Sequence, residues 1–129
     1  MYSACLIGHG YWGTKLARNF VNSEFFELIS VVDTKKINLS LARRNYPLIN
    51  CYSNYKKALT NDDIDLVIIS SPTSTHYKIA KYALEKSKHV LVEKPITLSL
   101  EELKKLNRLA KKKWENVICR LSIPIFWIN

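Results

Sequence analysis

The sequence predicts an α/β fold: a doubly wound parallel sheet with helices on both faces, in a single domain. Three observations predict it. Short, nearly continuous apolar runs recur along the 129 residues. Stretches of helical period separate these runs. A glycine loop joins the first run to the first helical stretch. Strands that apolar have no polar side to show water, so both sheet faces need cover. Right-handed crossover helices supply it.

Ser3–Ile7 is the first apolar run, a buried strand ending at Gly8. A helix over 11–22 follows, with Trp12, Leu16 and Phe20, edged by Ala17 and Val21, on its apolar side. Trp12 and Phe20 are expected to pack in the core. Residues 27–32 are rich in β-branched residues and stop at Asp33. Asn38 is placed as the cap of a helix over 38–45, with Leu39, Leu41 and Ala42 inward. Pro47 ends it. Cys51-Tyr52-Ser53 reads as a short third strand.

Residues 64–69 form the fourth strand, and the turn-rich loop 70–75 follows. A helix over 76–87 turns Ile79, Ala80, Ala83 and Leu84 inward. Residues 88–92 make the next strand, broken by Glu93-Lys94-Pro95. Ser99 and Glu102 form a capping box that opens a helix over about 100–113. Its buried face carries Leu100, Leu103, Leu106, Leu109 and Ala110.

Composition excludes several classes. Hydrophobic residues make up 47% and charged residues 24%, so a packed core is expected and disorder is not. No apolar run is long enough to span a bilayer, and Met1–Cys5 has no signal-peptide pattern. Cys5, Cys51 and Cys119 are odd in number and contain no CxxC, which disfavours disulfides and a metal site. The expectation is a cytoplasmic protein. The net charge is +9 and lies mostly beyond residue 70, where 12 basic side chains face 5 acidic ones. The lysines of 78–88 and 104–113 fall opposite the apolar helix faces and read as solvated. They are not interleaved with aromatics, so nucleic acid is disfavoured as a partner.

Gly8-His9-Gly10-Tyr11-Trp12-Gly13 is G-x-G-x-x-G between a strand and a helix. The chain has only 3 glycines, and all of them stand here, which argues against coincidence. Gly8 would make the tight turn, Gly10 would admit a pyrophosphate, and Gly13 would let the helix lie against the strand. N–H groups at the helix start, including those of Tyr11 and Trp12, would hold the phosphates. His9 itself reads as an exposed loop residue. Asp33 lies 20 residues after Gly13. Its carboxylate can accept from the ribose hydroxyls of an adenosine and repel a 2′-phosphate, which favours NAD. Thr34-Lys35-Lys36 keeps NADP open, since a lysine there could meet a 2′-phosphate.

Glu93-Lys94-Pro95 follows a strand, at the end of the sheet where ligands bind. A lysine there could hydrogen-bond a substrate hydroxyl or help to deprotonate it. Pro95 would fix the turn, with a cis peptide as one option.

Taken together, the glycine loop, Asp33, Ser71-Pro72-Thr73-Ser74-Thr75-His76 and Val92-Glu93-Lys94-Pro95-Ile96 resemble the amino-terminal NAD(P)-binding Rossmann domain of the glucose–fructose oxidoreductase / inositol dehydrogenase / MocA (Gfo/Idh/MocA) family. The resemblance covers about residues 1–118. It implies that Ser71, Pro72, Thr73 and His76 border the cofactor. It also implies that Glu93, Lys94 and Pro95 border the reacting carbon, with Lys94 catalytic. Gly10-Tyr11-Trp12-Gly13 followed by Leu16 and Arg18-Asn19-Phe20 is similar to the branch that oxidises nucleotide-linked amino sugars. Lys15 stands where that branch has Asn.

The resemblance further implies hydride transfer between a sugar or nucleotide-sugar hydroxyl carbon and a nicotinamide. Family members carry a second, α+β domain that supplies most substrate contacts. The chain is therefore expected to bind cofactor with little turnover by itself. The alternative is a non-catalytic NAD-binding regulator, or half of a split enzyme that acts with a partner chain; a homo-oligomer is a further option. Residues 119–129 depart from the family pattern. With Ile123, Ile125, Phe126, Trp127 and Ile128 they form an apolar tail, expected to be a sixth strand or an out-of-frame end.

Overall fold

The computed structural model describes residues 1–116. The expected apolar tail at 119–129, and Cys119 with it, lie outside the described residues. The elements in order are β1 (Tyr2–Ile7), α1 (Tyr11–Val21), β2 (Phe26–Val32), α2 (Lys36–Asn45), β3 (Asn50–Tyr52), α3 (Tyr55–Ala58), β4 (Leu66–Ile69), α4 (His76–Glu85), β5 (His89–Val92) and α5 (Leu100–Asn116). A 3-10 turn at Thr73–Thr75 leads into α4.

All strand pairs are parallel, in the order β3-β2-β1-β4-β5. The order reverses between β1 and β4, which makes the switch point where such sheets bind ligands. The period of two along each strand divides the core into two layers. Cys5, Ile7, Val67, Ile69, Val90 and Val92 face Ile79, Ala80, Ala83 and Leu84 of α4 and Leu106 of α5. Ala4, Leu6, Ile68 and Leu91 face Leu16 and Ala17 of α1 and Leu39 and Ala42 of α2. The doubly wound sheet expected from the apolar runs is therefore present.

Cys5 sits in the first layer, fully buried. Burial pushes its thiol up to about 11, because the thiolate has no water to solvate it. Cys51 is half-buried on β3. Mild alkylation of the native protein is expected to modify Cys51 and to spare Cys5 until denaturant is added. Peptide mass mapping checks this, and labelling of Cys5 in the native protein would contradict its placement.

Several local expectations are corrected. The cap of α2 is Lys35, and Asn38 lies inside the first turn, where its side chain turns to Asp33 instead. The four-residue α3 was not expected; Asn54 caps it by accepting from the Lys56 N–H at 2.9 Å. Ser99 accepts from the Glu102 N–H, but its own N–H donates to the Thr97 hydroxyl, so the capping box is closed by Thr97. Lys88 is buried rather than solvated: its ammonium donates to the carbonyls of Asn61 and Asp62 at 3.1 and 3.2 Å. It ties the start of β5 to the loop before β4.

Trp12 is 57% exposed and not in the core. The buried residues of α1 are Gly13, Leu16 and Ala17. Gly13 meets the helix-facing side of Gly8, just past the end of β1. Residues before Gly13 therefore lie beyond the strand end and have no sheet to pack on. Phe20, at the other end of α1, is half-buried and packs edge-on against Phe26.

Candidate functional site

The carboxyl ends of four strands lie level. Ile7 pairs with Val32 on one side and Ile69 on the other, and Ile69 pairs with Val92. The next residue of each strand continues the row. Gly8 N–H donates to the Val32 carbonyl, Ser70 N–H to Ile7, and Glu93 N–H to Ile69. Gly8, Asp33, Ser70 and Glu93 thus emerge along one edge of the sheet, astride the switch point.

The three glycines have different reasons to be there. Gly8 has φ +98°, and a Cβ on it would stand 2.6 Å from the backbone of Ser70 and Ser71. A Cβ on Gly13 would collide with the Gly8 carbonyl. Packing of the protein alone therefore requires these two. A Cβ on Gly10 would meet nothing within 4 Å. No protein atom asks for glycine there, so the open space fits a ligand that lies against the backbone. The first backbone bond of α1 runs from Thr14 N–H to the Gly10 carbonyl. The N–H groups of Tyr11, Trp12 and Gly13 have no earlier helical carbonyl to reach, and such groups are suited to phosphate oxygens. The residues present fit a dinucleotide.

Tyr11 and Trp12 are exposed and stack edge to face at 5.3 Å. Lys15 lies over both rings, 4.3 Å from the Tyr11 centroid and 4.7 Å from that of Trp12. These contacts keep the aromatic pair together at the start of the helix.

Asp33 is half-buried at the end of β2. Its Oδ2 accepts from the His9 N–H at 2.8 Å and from the Asn38 side-chain amide at 3.0 Å. Its Oδ1 accepts from the Lys35 N–H at 2.8 Å. His9 is 1% exposed, which corrects its reading as an exposed loop residue. Its N–H reaches the Asp33 carboxylate just past β2, and its ring nitrogen Nδ1 lies 3.1 Å from the Asn38 carbonyl in the first turn of α2. Thr34 is exposed next to Asp33.

On the other side of the switch point, Ser71 and Thr73 are half-buried and Pro72 is exposed. The Ser71 and Thr75 hydroxyls pair at 2.7 Å, and Thr75 donates to the Pro72 carbonyl. His76 is 1% exposed. Its Nε2 lies 2.7 Å from the Ser71 carbonyl and its Nδ1 2.8 Å from the Pro95 carbonyl. His76 therefore ties the loop after β4 to the turn after β5, and both ring nitrogens are spent in doing so. Lys94 and Pro95 are exposed, Glu93 is half-buried, and the Lys94–Pro95 peptide is cis. His76→Leu would remove the polar bridge between the Ser71 and Pro95 carbonyls. It is expected to lower stability by about 2 kcal/mol in urea unfolding, while Tyr77→Phe beside it changes little. Equal stability of His76→Leu and the unmodified chain would contradict the tie.

The sequence pattern located every one of these loops. It missed Asn38 and the burial of His9, whose only signal was their shared neighbour Asp33. Among the described residues, no cluster of His, Cys, Asp and Glu could hold a metal ion, and no helix is long and apolar enough to cross a membrane.

Comparison with known proteins agrees with this fold. Residues 3–120 match the oxidoreductase family with an NAD-binding Rossmann fold, Gfo/Idh/MocA. The oxidoreductase YdgJ of Escherichia coli is 31% identical over 106 residues, which are 82% of this chain and 30% of that protein. Among solved structures, myo-inositol 2-dehydrogenase from Lactobacillus plantarum superposes with a TM-score of 0.81 at 27% identity, over 87% of this chain and 33% of the other. Biliverdin reductase from Synechocystis sp. PCC 6803, solved with biliverdin and NADP+, superposes with a TM-score of 0.82 at 27% identity, over 86% and 35%. The chain thus spans about a third of the length of these relatives. The open glycine cradle at the switch point and the match along nearly the whole sequence place this chain in the Gfo/Idh/MocA oxidoreductase family, as its NAD-binding Rossmann domain.

Proposed function

We propose that residues 1–118 form the cofactor half of an oxidoreductase that moves hydride between a sugar or nucleotide-sugar hydroxyl carbon and a nicotinamide. The observation that carries this is the row of strand ends, with an open cradle at Gly10 on one side and Glu93-Lys94-Pro95 on the other. In this reading Gly8, Gly10, Tyr11, Trp12 and Gly13 hold the pyrophosphate through backbone N–H groups, and Asp33 and Thr34 border the adenosine ribose. Ser71, Pro72 and Thr73 wall the nicotinamide side. His76 acts there by positioning the two loops it ties. The bound nicotinamide would supply the two-electron acceptor.

Lys94 borders the reacting carbon. Its ammonium form hydrogen-bonds the substrate oxygen, and its amine form takes the hydroxyl proton as the carbon loses hydride. Alignment of the two carbons needs walls on both sides. The cofactor domain supplies one wall, so this segment by itself is expected to bind cofactor and turn over little. Nucleotide-linked amino sugars are the narrower substrate class, on the strength of Gly10-Tyr11-Trp12-Gly13 and Arg18-Asn19-Phe20. The free Cys5 and Cys51 suit a reducing cytoplasm.

A second reading is an NAD-binding regulator or one half of a split enzyme. A spectrophotometric assay of the chain with NAD and nucleotide sugars separates the cases. No NADH production is expected from the chain alone. Addition of a relative's substrate domain as a separate chain should restore it, and Lys94→Met should abolish it. Robust turnover by the chain alone would overturn the one-wall account.

A further inference from the structure

We propose that His9 and Asn38 are positioning residues that hold the Asp33 carboxylate at the adenosine ribose and thereby set the preference for NADH over NADPH. The inference rests on the dinucleotide reading of the site. A carboxylate has about four lone-pair positions. Three are filled from within the chain: two on Oδ2 by His9 N–H and the Asn38 amide, one on Oδ1 by Lys35 N–H. The donors come from three separate segments: the glycine loop, the turn after β2 and the first turn of α2. The carboxylate cannot rotate without breaking bonds to at least two of them. What stays open is one position on Oδ1, which suits a single ribose hydroxyl.

The His9 ring closes the arrangement. Its Nδ1 lies 3.1 Å from the Asn38 backbone carbonyl, which can only accept, so Nδ1 carries the proton. Nε2 is then a bare acceptor, and it is buried with no described partner. A histidine with an orphaned nitrogen is a poor core residue, because an apolar side chain would fill the space without that cost. What the ring supplies in return is the bond to Asn38. That bond fixes the turn of α2 whose side chain grips Asp33.

The consequence is a fixed negative charge where a 2′-phosphate would lie. Lys35 and Lys36 follow directly in the chain and would attract that phosphate. A carboxylate free to swing away would leave them to act unopposed. Loss of the clamp should therefore weaken NADH and spare or strengthen NADPH, whereas simple loosening of the domain would weaken both alike.

The test is calorimetric titration of the chain with NADH and with NADPH. Asn38→Ala is expected to weaken NADH by about tenfold, the worth of a hydrogen bond to a charged group, with NADPH affinity unchanged or raised. His9→Leu should shift the ratio in the same direction. His9→Asn, whose Nδ2 stands where the ring Nδ1 does, should restore it. An unchanged ratio in Asn38→Ala, in a protein with unaltered urea unfolding, overturns the clamp alone. Absence of NADH binding by the unmodified chain overturns the dinucleotide reading and the clamp together.

Discussion

Gly13→Ala is expected to destabilise the fold strongly, and Gly10→Ala to leave the fold intact and weaken cofactor binding. The two substitutions add the same methyl group three residues apart. At Gly13 the methyl meets the Gly8 carbonyl, and Gly8 is itself held by its N–H bond to the Val32 carbonyl and has no room to shift toward Ser70 and Ser71. Neither backbone can give way without moving β1 or β4. The cost is about 3 kcal/mol or more, the upper range for overpacking. For a domain of this size that lowers the melting temperature by roughly 10 °C. At Gly10 the methyl meets nothing in the protein. Thermal melting of Gly10→Ala should match the unmodified chain within about 0.5 kcal/mol. Its affinity for NADH should fall at least about tenfold, since the methyl occupies the space left for the pyrophosphate. Equal melting of all three proteins would contradict the packing account. Full NADH affinity in Gly10→Ala would contradict the cradle.

Asp33→Ala is expected to lose both stability and affinity, by separate routes. The carboxylate is the acceptor for His9 N–H and the Asn38 amide, both part-buried. Without it these donors stay unpaired, at about 1–3 kcal/mol. The ribose hydroxyl loses a charged partner as well, worth roughly tenfold to a hundredfold in NADH affinity. Asp33→Asn separates the routes. It keeps one acceptor oxygen for the His9 N–H and removes the charge. Its melting should therefore lie between those of Asp33→Ala and the unmodified chain, while its discrimination against NADPH is lost. Unchanged affinity for NADH in Asp33→Ala would remove Asp33 from the site.

The sheet was legible because its strands are buried on both faces. Ser3–Ile7 or Leu66–Ile69 can be nothing but interior, and a period of two then assigns the layers. The glycine loop was legible because all the chain's glycines stand in it. What escaped was set by tertiary approach. Trp12 has the same helical spacing as Leu16 and Phe20, yet it lies past the strand end, and only the position of Gly8 reveals where that end falls. Lys88 follows a row of solvated lysines and differs from them only because two loop carbonyls lie within reach. His9 looks like any loop residue until Asp33 draws the loop down. Asn38 has the composition of a helix cap and is spent on a carboxylate five residues earlier. In each case an approach between segments distant in sequence or past a strand end decided the outcome.

The central claim is that this chain binds a nicotinamide dinucleotide across the glycine cradle. Calorimetric titration with NADH tests it most directly, with Gly10→Ala alongside. Saturable binding by the unmodified chain, lost in a Gly10→Ala protein that melts normally, is the predicted result. No binding heat from the folded chain, or equal binding by both proteins, would contradict it.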